Sequence, residues 1–456
     1  MDASWPSPDQ REWFESYEPN ALVQRRPHQR RQNPPTLQTL FRIYPIRERI
    51  ACCLETRDVL RLCQTSWAMR QDIKANEWDI NAKLGRFIKN PTGFRSQLGR
   101  SNALISGSFA LQFFERVVWP EADLDIMVQD GTNLEGLAKF LVEKEDYEMV
   151  GERDFSEEDD DILGYRTSDF PDMRKTQTYM YRKKYSIAWK GSDDSGRKIQ
   201  LIATYGPPVQ AILRGYYTTA LVNFISWNKA YSIFPRSTFL SYETVPLKLV
   251  DDYFGNLHVK YSRRGWRMRT ESVMVQGLGQ PNPLGNLVAK KGNRRVGDSD
   301  TWIIRLDTAS VAKPPKPDFV LEYSCFQVAG LQTQGVGVRG LHEWSEVRES
   351  LNLTIYAGLF QSHSLRYKYT YGYDYEDPDF HTPLHLFWDQ LGKRMSRNTL
   401  GQLMKLGQAK VDEIVQDQSP QSAIVYMLDF EHPEGWDYYD DLVPLLYDQM
   451  ESNGHI

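Results

Sequence analysis

The amino-acid sequence predicts an α+β fold, in which a mixed sheet is flanked by helices. Two short apolar segments, residues 104–106 and 124–128, are typical of strands and enclose an apolar run with helical spacing. Residues 185–204 form the pattern of a β-hairpin, with the polar turn GSDDSGR between two apolar strands. Stretches on both sides carry helical periodicity, and a hydrophobic content of 41% is enough for sizeable cores. These observations favour a folded protein of about two to four domains.

The chain is predicted to contain five segments. The first has no periodicity and mixes Pro, Gln, Arg and Ser, so we expect it to be disordered. Within it, the run QRRPHQRRQ fits either a solvated basic arm or a nuclear-import signal. The predicted boundaries are 1–36 for this N-terminal arm, 37–90 for a small helical module, 91–255 for the core, 256–315 for a basic, loop-rich segment and 316–456 for a mixed, largely helical C-terminal region.

Composition limits the compartment in which we expect this chain. No apolar run approaches the roughly 18 residues of a membrane span, and the N-terminus lacks the basic start and apolar centre of a secretory signal. The few cysteines predict reduced core thiols rather than disulfides; they are Cys52, Cys53, Cys63 and Cys325. We therefore expect a cytoplasmic or nuclear protein, or one found in both places, with no membrane partner.

Residues 40–73 are expected to form two or three short amphipathic helices. The segment resembles an F-box, whose order is proline, helix, leucine, Asp-Leu-Leu-x-Leu, cysteine and tryptophan; the resembling residues are Pro45, Ile50, Leu54, Asp58, Leu60, Leu62, Cys63 and Trp67. The resemblance implies that residues 40–75 bind the adaptor of a cullin ubiquitin ligase through an apolar face, with Pro45, Ile50, Leu54, Leu60 and Leu62 in contact. A helical bundle packed on the next domain would show the same periodicity.

The core contains a compact chemical motif. Asp123 and Asp125 are two residues apart in a strand, so both carboxylates lie on one face while Leu124 and Ile126 point into a core. Paired hard oxygen ligands suit Mg²⁺, which proteins usually hold together with substrate phosphates. Upstream, Gly107 permits close backbone approach, and Ser108 opens an apolar helix whose free N–H groups can face a phosphate. The sequence therefore predicts a site for a nucleoside triphosphate with Mg²⁺.

Gly-Ser, a helix and Asp-x-Asp together resemble the polymerase-beta-type nucleotidyltransferase fold, over about a third of the chain. The resemblance implies that Gly107 and Ser108 hold the triphosphate, that Asp123 and Asp125 hold metal, and that a third acid lies on a neighbouring strand. Gln200 is at the corresponding place here, in the second strand of the predicted hairpin. Glutamine brings no negative charge and cannot help to take a proton, so catalysis is in doubt. The chain is also similar to a group of fungal proteins that join an F-box-like N-terminus to such a core, a resemblance that implies no reaction.

Beyond the core, several motifs have two interpretations. Residues 260–295 hold nine basic residues and one acid, Glu271, a balance of +8 that fits RNA or phosphate contact or neutralisation of an acidic surface such as residues 157–161. The sequence GVGVRG (335–340) favours a flexible turn over a dinucleotide loop. His381 and His385 favour helix capping over zinc binding, since Pro383 lies between them. The tyrosine-rich run 366–380 is either a strand pair or a partner-binding loop, and residues 211–227 predict a helix.

Two functional hypotheses result. In the first, the protein transfers a nucleotide to an unknown acceptor with Mg²⁺, using Asp123 and Asp125. In the second, the core has lost catalysis with Gln200 and serves as a recognition platform, while residues 40–75 recruit a ubiquitin ligase. Gln200 favours the second hypothesis, and the intact aspartate pair favours the first.

Overall fold

The computed structural model describes residues 36–154, 181–189, 197–248, 252–269, 292–333, 350–372, 383–406 and 431–453. Several sequence predictions fall outside these ranges: the basic run 24–32, the acidic run 157–161, residues 270–291 of the basic segment, the glycines of 335–340, and His381. The described residues belong to two compact units, which divide between Cys53 and Leu54. This division lies inside the predicted module 37–90, whose boundaries stay a prediction.

The first unit contains two short helices, α1 (Leu37–Phe41) and α2 (Tyr44–Ala51). Thr36 caps α1 by accepting a hydrogen bond from the Thr39 N–H at 3.2 Å. Pro45 lies in the first turn of α2, where its missing N–H costs nothing, and its side chain is exposed. Phe41 and Ala51 are buried, whereas Ile43 and Tyr44 are exposed, Tyr44 at 62%. Ile50 is half-buried.

The second unit begins with four helices that lead to the main sheet: α3 (Thr56–Thr65), α4 (Trp67–Glu77), α5 (Ile80–Leu84) and α6 (Pro91–Arg100). Their apolar positions recur at helical spacing, and Val59 and Ile73 are fully buried. Leu54, Leu60 and Leu62 are half-buried. Trp67 is 75% exposed at the start of α4.

An eight-stranded mixed sheet forms the centre of this unit, with the order β11-β7-β6-β1-β2-β5-β4-β3. Its strands, in chain order, are β1 (Leu104–Ser106), β2 (Leu124–Gln129), β3 (Tyr147–Asp154), β4 (Tyr181–Trp189), β5 (Lys198–Thr204), β6 (Asn223–Ile225), β7 (Lys229–Ser232) and β11 (Trp302–Arg305). Helices α7 (Gly107–Glu115) and α8 (Thr132–Lys144) connect the first three strands. The model therefore confirms the predicted α+β class and its mixed sheet.

The predicted hairpin of β4 and β5 is confirmed, and so is its alternation. Ile199, Leu201 and Ala203 are buried, while Gln200 and Ile202 point to the other face and are partly exposed. The central pair β2 and β5 runs parallel, and β1 runs antiparallel to β2. The two neighbours of β2 in the sheet, β1 and β5, therefore come from different parts of the chain.

The predicted helix over residues 211–227 is wrong beyond its first turn. Helix α9 (Pro208–Gly215) ends early, a 3₁₀ turn follows at Thr219–Leu221, and β6 begins at Asn223. The Ser226 hydroxyl accepts hydrogen bonds from the Lys229 N–H at 3.1 Å and the Asn228 N–H at 3.5 Å, which forms the turn between β6 and β7. Pairing of β6 with β1 on one side and β7 on the other overrides the local helical pattern.

The remainder of the described chain adds smaller sheets and helices. A three-stranded sheet joins β10 (Gly292–Arg295), β12 (Cys325–Thr333) and β13 (Ser350–Tyr356), while β8 (Glu243–Thr244) pairs with β9 (Arg267–Met268) and β14 (Gly358–Phe360) with β15 (Tyr369–Tyr371). Its helices are α10 (Asp252–Ser262), α11 (Asp318–Glu322), α12 (Pro383–Leu406) and α13 (Leu442–Ser452), and a π-helical turn covers Arg236–Ser241. The tyrosine-rich run thus begins with a paired strand, as one of its two interpretations predicts.

Two cores and one buried ion pair organise these elements. One apolar cluster packs α9 between the main sheet and the β10-β12-β13 sheet, and another packs α12 against α13. Arg294 of β10, with a side chain 1% exposed, donates two hydrogen bonds of 2.9 Å to the Asp298 carboxylate.

No described helix is both long and apolar enough to cross a membrane. Cys63 and Cys325 are buried free thiols as predicted, whereas Cys52 and Cys53 are free but exposed.

Candidate functional site

Four polar residues lie side by side on one face of the main sheet. Ser106 of β1 is opposite Asp125 of β2, Asp125 is opposite Gln200 of β5, and Gln200 is opposite Ser186 of β4. Neighbouring strands are about 4.8 Å apart, and paired residues point to the same face. Asp123, two residues before Asp125, joins the row from the start of β2. The structure thus brings together the aspartates and the glutamine that the sequence singled out.

Gln200 contacts the aspartate pair directly. Its side-chain amide nitrogen Nε2 donates a hydrogen bond of 2.5 Å to Asp123 Oδ2. The amide therefore uses one of the oxygens that a metal would need, and it adds no negative charge. This contact links two residues that are 77 positions apart in the sequence.

Gly107 and Ser108 form the N-terminus of α7, directly against Asp125. The φ angle of Gly107 is +65°, in the left-handed region that favours glycine. A Cβ atom at this position would lie 3.1 Å from Asp125 Cγ and would overlap its Oδ2 atom. Asp125 also accepts a hydrogen bond from the Ser108 backbone N–H. The carboxylate therefore lies at the positive end of a helix, the position in which helix N-termini bind phosphate.

The electrostatic surroundings of Asp125 are mixed. Burial raises the pKa of this carboxyl to about 7, and the negative charge of Asp123 adds to the rise, while Lys184, Lys260 and the Ser108 N–H oppose it. The carboxyl therefore ionises less readily than an exposed aspartate, and a bound cation would favour its ionised form.

Two lysines near Asp125 complete the site, and only one was anticipated. Lys260 is on α10, inside the basic segment predicted to contact phosphate. Lys184 was missed; it lies on β4, two residues from Ser186 and therefore on the same face of the sheet. The alternation of YRKKYSIAW carried this signal, because it places Lys184 on the face of Gln200 and the neighbouring Lys183 on the opposite face.

A packed cluster places α10 beside the aspartates. The Arg264 guanidinium lies 3.8 Å from the centre of the Trp119 ring and pairs with Glu121, two residues before Asp123. Tyr261 packs against the same tryptophan, with ring centres 6.3 Å apart. These contacts fix the end of α10, and with it Lys260, beside the loop that leads into β2.

At the β1 end of this row, hydrogen bonds of the Ser106 hydroxyl hold the end of the strand. The Ser106 hydroxyl donates to the Asn223 carbonyl oxygen at 2.7 Å and accepts from the Tyr216 hydroxyl at 2.9 Å. Ser106 is fully buried and Ser108 is 9% exposed. Ser106 and Tyr216 were not predicted, since neither stands out from the sequence without its partner. Together they keep the Gly107–Ser108 turn in place.

The donor atoms fit one hard cation better than two. Asp123 and Asp125 supply carboxylate oxygens, the Gln200 amide nitrogen already occupies one Asp123 oxygen, and the glycine cradle leaves room for one Asp125 oxygen beside the helix end. Among the described residues, no group of three or more His, Cys, Asp or Glu side chains could hold a metal ion. The residues thus fit Mg²⁺ shared with phosphate oxygens, and they lack the third carboxylate that a two-metal site uses.

Other predicted sites are not joined to this one. His385 lies within α12, and its proposed partner His381 is outside the described residues.

Comparison of the chain with protein-family models, with curated proteins and with solved structures finds no match in any of the three.

Proposed function

We propose that the protein binds a nucleoside triphosphate together with Mg²⁺ in a nucleotidyltransferase-like core, with transfer of the nucleotide weak or lost. One observation carries this proposal: Asp125 is paired with Gln200 of the neighbouring strand and lies against the helix end formed by Gly107 and Ser108, while Asp123 accepts a hydrogen bond from Gln200. The Gly-Ser helix, the Asp-x-Asp strand and a neighbouring strand are the three parts that the sequence resemblance implies. Their adjacency supports the proposal.

Each residue has a distinct role in binding. The dipole of α7 would stabilise a phosphate at the helix N-terminus, to which Gly107 permits close approach. Lys184 and Lys260 add positive charge near Asp125. Asp123 and Asp125 would hold Mg²⁺, which supplies charge neutralisation for the phosphates when it is bound.

Gln200 is the reason for proposing binding rather than efficient transfer. An attacking hydroxyl must lose a proton, and an amide does not accept one at neutral pH. The amide instead donates to Asp123 and holds that carboxylate in place. The position that would complete a triad of acids is therefore occupied by a residue that orients one ligand without adding charge.

Calorimetric titration with ATP, GTP, CTP and UTP, each with Mg²⁺, tests the proposal. We expect Mg²⁺-dependent binding of at least one nucleotide to the full chain, and its loss in the double variant Asp123→Asn/Asp125→Asn. Asp130→Asn is a matched control, since Asp130 lies after β2 and pairs with Arg182. Absence of binding to any of the four nucleotides would contradict the proposal.

Restoring the missing acid tests the explanation for weak transfer. Gln200→Asp adds a third carboxylate opposite Asp125, so we expect nucleotide hydrolysis or transfer to appear or to rise at least tenfold, by about 1.4 kcal/mol or more of barrier. The assay follows pyrophosphate release with Mg²⁺. Unchanged turnover in a variant that still binds nucleotide would show that Gln200 is not what limits the reaction.

A second function, recruitment of a cullin ubiquitin ligase, is favoured by exposed apolar side chains in the F-box-like segment. Tyr44 in the first unit and Trp67 in the second are 62% and 75% exposed. We expect the purified ligase adaptor to bind the full chain and Trp67→Ala to weaken it, whereas Met404→Ala, equally exposed on α12, has no effect. Failure of the adaptor to bind would exclude this function and leave the nucleotide proposal untouched.

A further inference from the structure

Two histidine side chains from distant parts of the sequence meet on the surface of the C-terminal region. His363 Nδ1 and His432 Nε2 are 3.0 Å apart, although the residues are 69 positions apart. Two nitrogens bound to one tetrahedral Zn²⁺ at 2.0–2.1 Å are about 3.3–3.4 Å from each other. The rings therefore need to separate by only about 0.3 Å to share a metal ion.

The second nitrogen of His432 has the kind of partner that metal-binding histidines use. Its Nδ1 atom is 2.9 Å from the Tyr438 hydroxyl oxygen. When Nδ1–H donates to that oxygen, the lone pair is on Nε2, the atom that faces His363. Trp436 stacks on the His432 ring, with centres 5.1 Å apart and planes at 10°, and so fixes its orientation.

Contacts that do not involve the imidazoles hold the two segments together. The Trp436 indole N–H donates to the His363 carbonyl oxygen at 2.8 Å, and the Tyr439 N–H donates to the Ser364 carbonyl oxygen at 2.9 Å. On the other side, Gln402 of α12 makes two hydrogen bonds with the Asp437 backbone, at 2.7 and 3.0 Å. The rings are therefore pre-positioned, and either can be replaced without removing these bonds.

Access also suits a metal ion. His432 is exposed and His363 is half-buried, so water or an added ligand can reach the remaining coordination positions. The Arg366 guanidinium, 4.6 Å from the centre of the Tyr438 ring, is a nearby positive charge that limits the affinity.

We propose that His363 and His432 form a binding site for a divalent transition-metal ion of the class that prefers imidazole, such as Zn²⁺, Ni²⁺ or Cu²⁺. Tyr438 orients His432, and the metal joins the segment after β14 to the segment before α13. This site is independent of the nucleotide site.

Titration of the chelator-treated full chain with Zn²⁺ by calorimetry, and with Co²⁺ by visible absorption, tests the proposal. We expect one site with a nitrogen-ligand Co²⁺ spectrum, lost in His363→Gln and in His432→Gln. His258→Gln on α10 is the matched control and keeps the site. Tyr438→Phe is expected to weaken binding about tenfold without abolishing it.

Three results would overturn the assignment: no Zn²⁺ or Co²⁺ binding to the unaltered chain, unchanged binding in the double variant His363→Gln/His432→Gln, or equal loss in His258→Gln. Circular dichroism of each variant separates lost binding from lost folding. If the double variant unfolds, the spectrum of Co²⁺ bound to the unaltered chain still decides whether the ligands are nitrogens.

Discussion

Replacement of Gly107 by alanine tests how the candidate site is built. Two separate costs are expected. An alanine at φ +65° is strained by about 1–2 kcal/mol, because its Cβ approaches the following carbonyl oxygen. The new Cβ would also lie 3.1 Å from Asp125 Cγ and 3.2 Å from Asp125 Cβ, and would overlap Oδ2, so the carboxylate must move.

Movement of the carboxylate breaks its hydrogen bond from the Ser108 N–H. A hydrogen bond to a charged group contributes about 1.5–3 kcal/mol, so Gly107→Ala should lower the free energy of unfolding by about 2.5–5 kcal/mol in total. In an Asp125→Ala background only the backbone strain and the 3.2 Å Cβ contact remain. The double variant should therefore be about 1.5–3 kcal/mol more stable than the sum of the two single changes predicts.

Urea unfolding of the four proteins in this cycle, at one pH near 8, measures the coupling. Gly435→Ala is the control for strain alone, since its φ is +83° and no atom lies within 4 Å of the added Cβ. The reasoning is refuted if the two changes add to within about 0.5 kcal/mol. It is equally refuted if Gly107→Ala costs no more than the control.

Three further predictions concern charge. Lys184→Gln should weaken Mg²⁺-nucleotide binding roughly fivefold to tenfold in calorimetry. The control Lys183→Gln, which breaks an ion pair with a glutamate of β3, should leave the binding unchanged. Equal effects of the two changes would show that Lys184 does not belong to the site. Burial opposes ionisation of Asp298, but its buried arginine partner outweighs this and holds the pKa low, so the ion pair stabilises the fold above pH 3.8 and the stability is lost as the pH falls. Asp298→Asn should cost about 3–5 kcal/mol at pH 7 and flatten that acid limb in urea unfolding. Burial raises the pKa of Glu115, so ionisation of this carboxyl destabilises the fold as the pH rises. Tyr242→Phe removes the 2.8 Å hydrogen bond to Glu115 and should lower the free energy of unfolding by about 1–3 kcal/mol at pH 7 and by less at pH 4. An equal cost at the two pH values would contradict this prediction.

Local patterns in the sequence were sufficient for much of the sheet. The alternation of residues 198–203 correctly gave the buried and the partly exposed face of β5, because side chains alternate with a period of two whatever the strand's partners are. The same approach failed at residues 223–227. A short apolar run fits a helix or a strand equally, and only pairing with β1 and β7 selects the strand.

Short stretches of sequence were enough to identify the residue types of the site, namely the Gly107–Ser108 turn, the Asp123–Asp125 pair and the glutamine at 200. How these residues meet depends on the folded arrangement of the strands and helices. The bond from Gln200 to Asp123 and the approach of Lys184 to Asp125 join positions about 60–80 residues apart. The His363–His432 pair arises in the same way, because the distance between two residues along the sequence does not predict whether folding brings them into contact. Periodicity predicts the local secondary structure of a segment and the face that it buries. A site depends on strand register and on packing between segments that are far apart in the sequence.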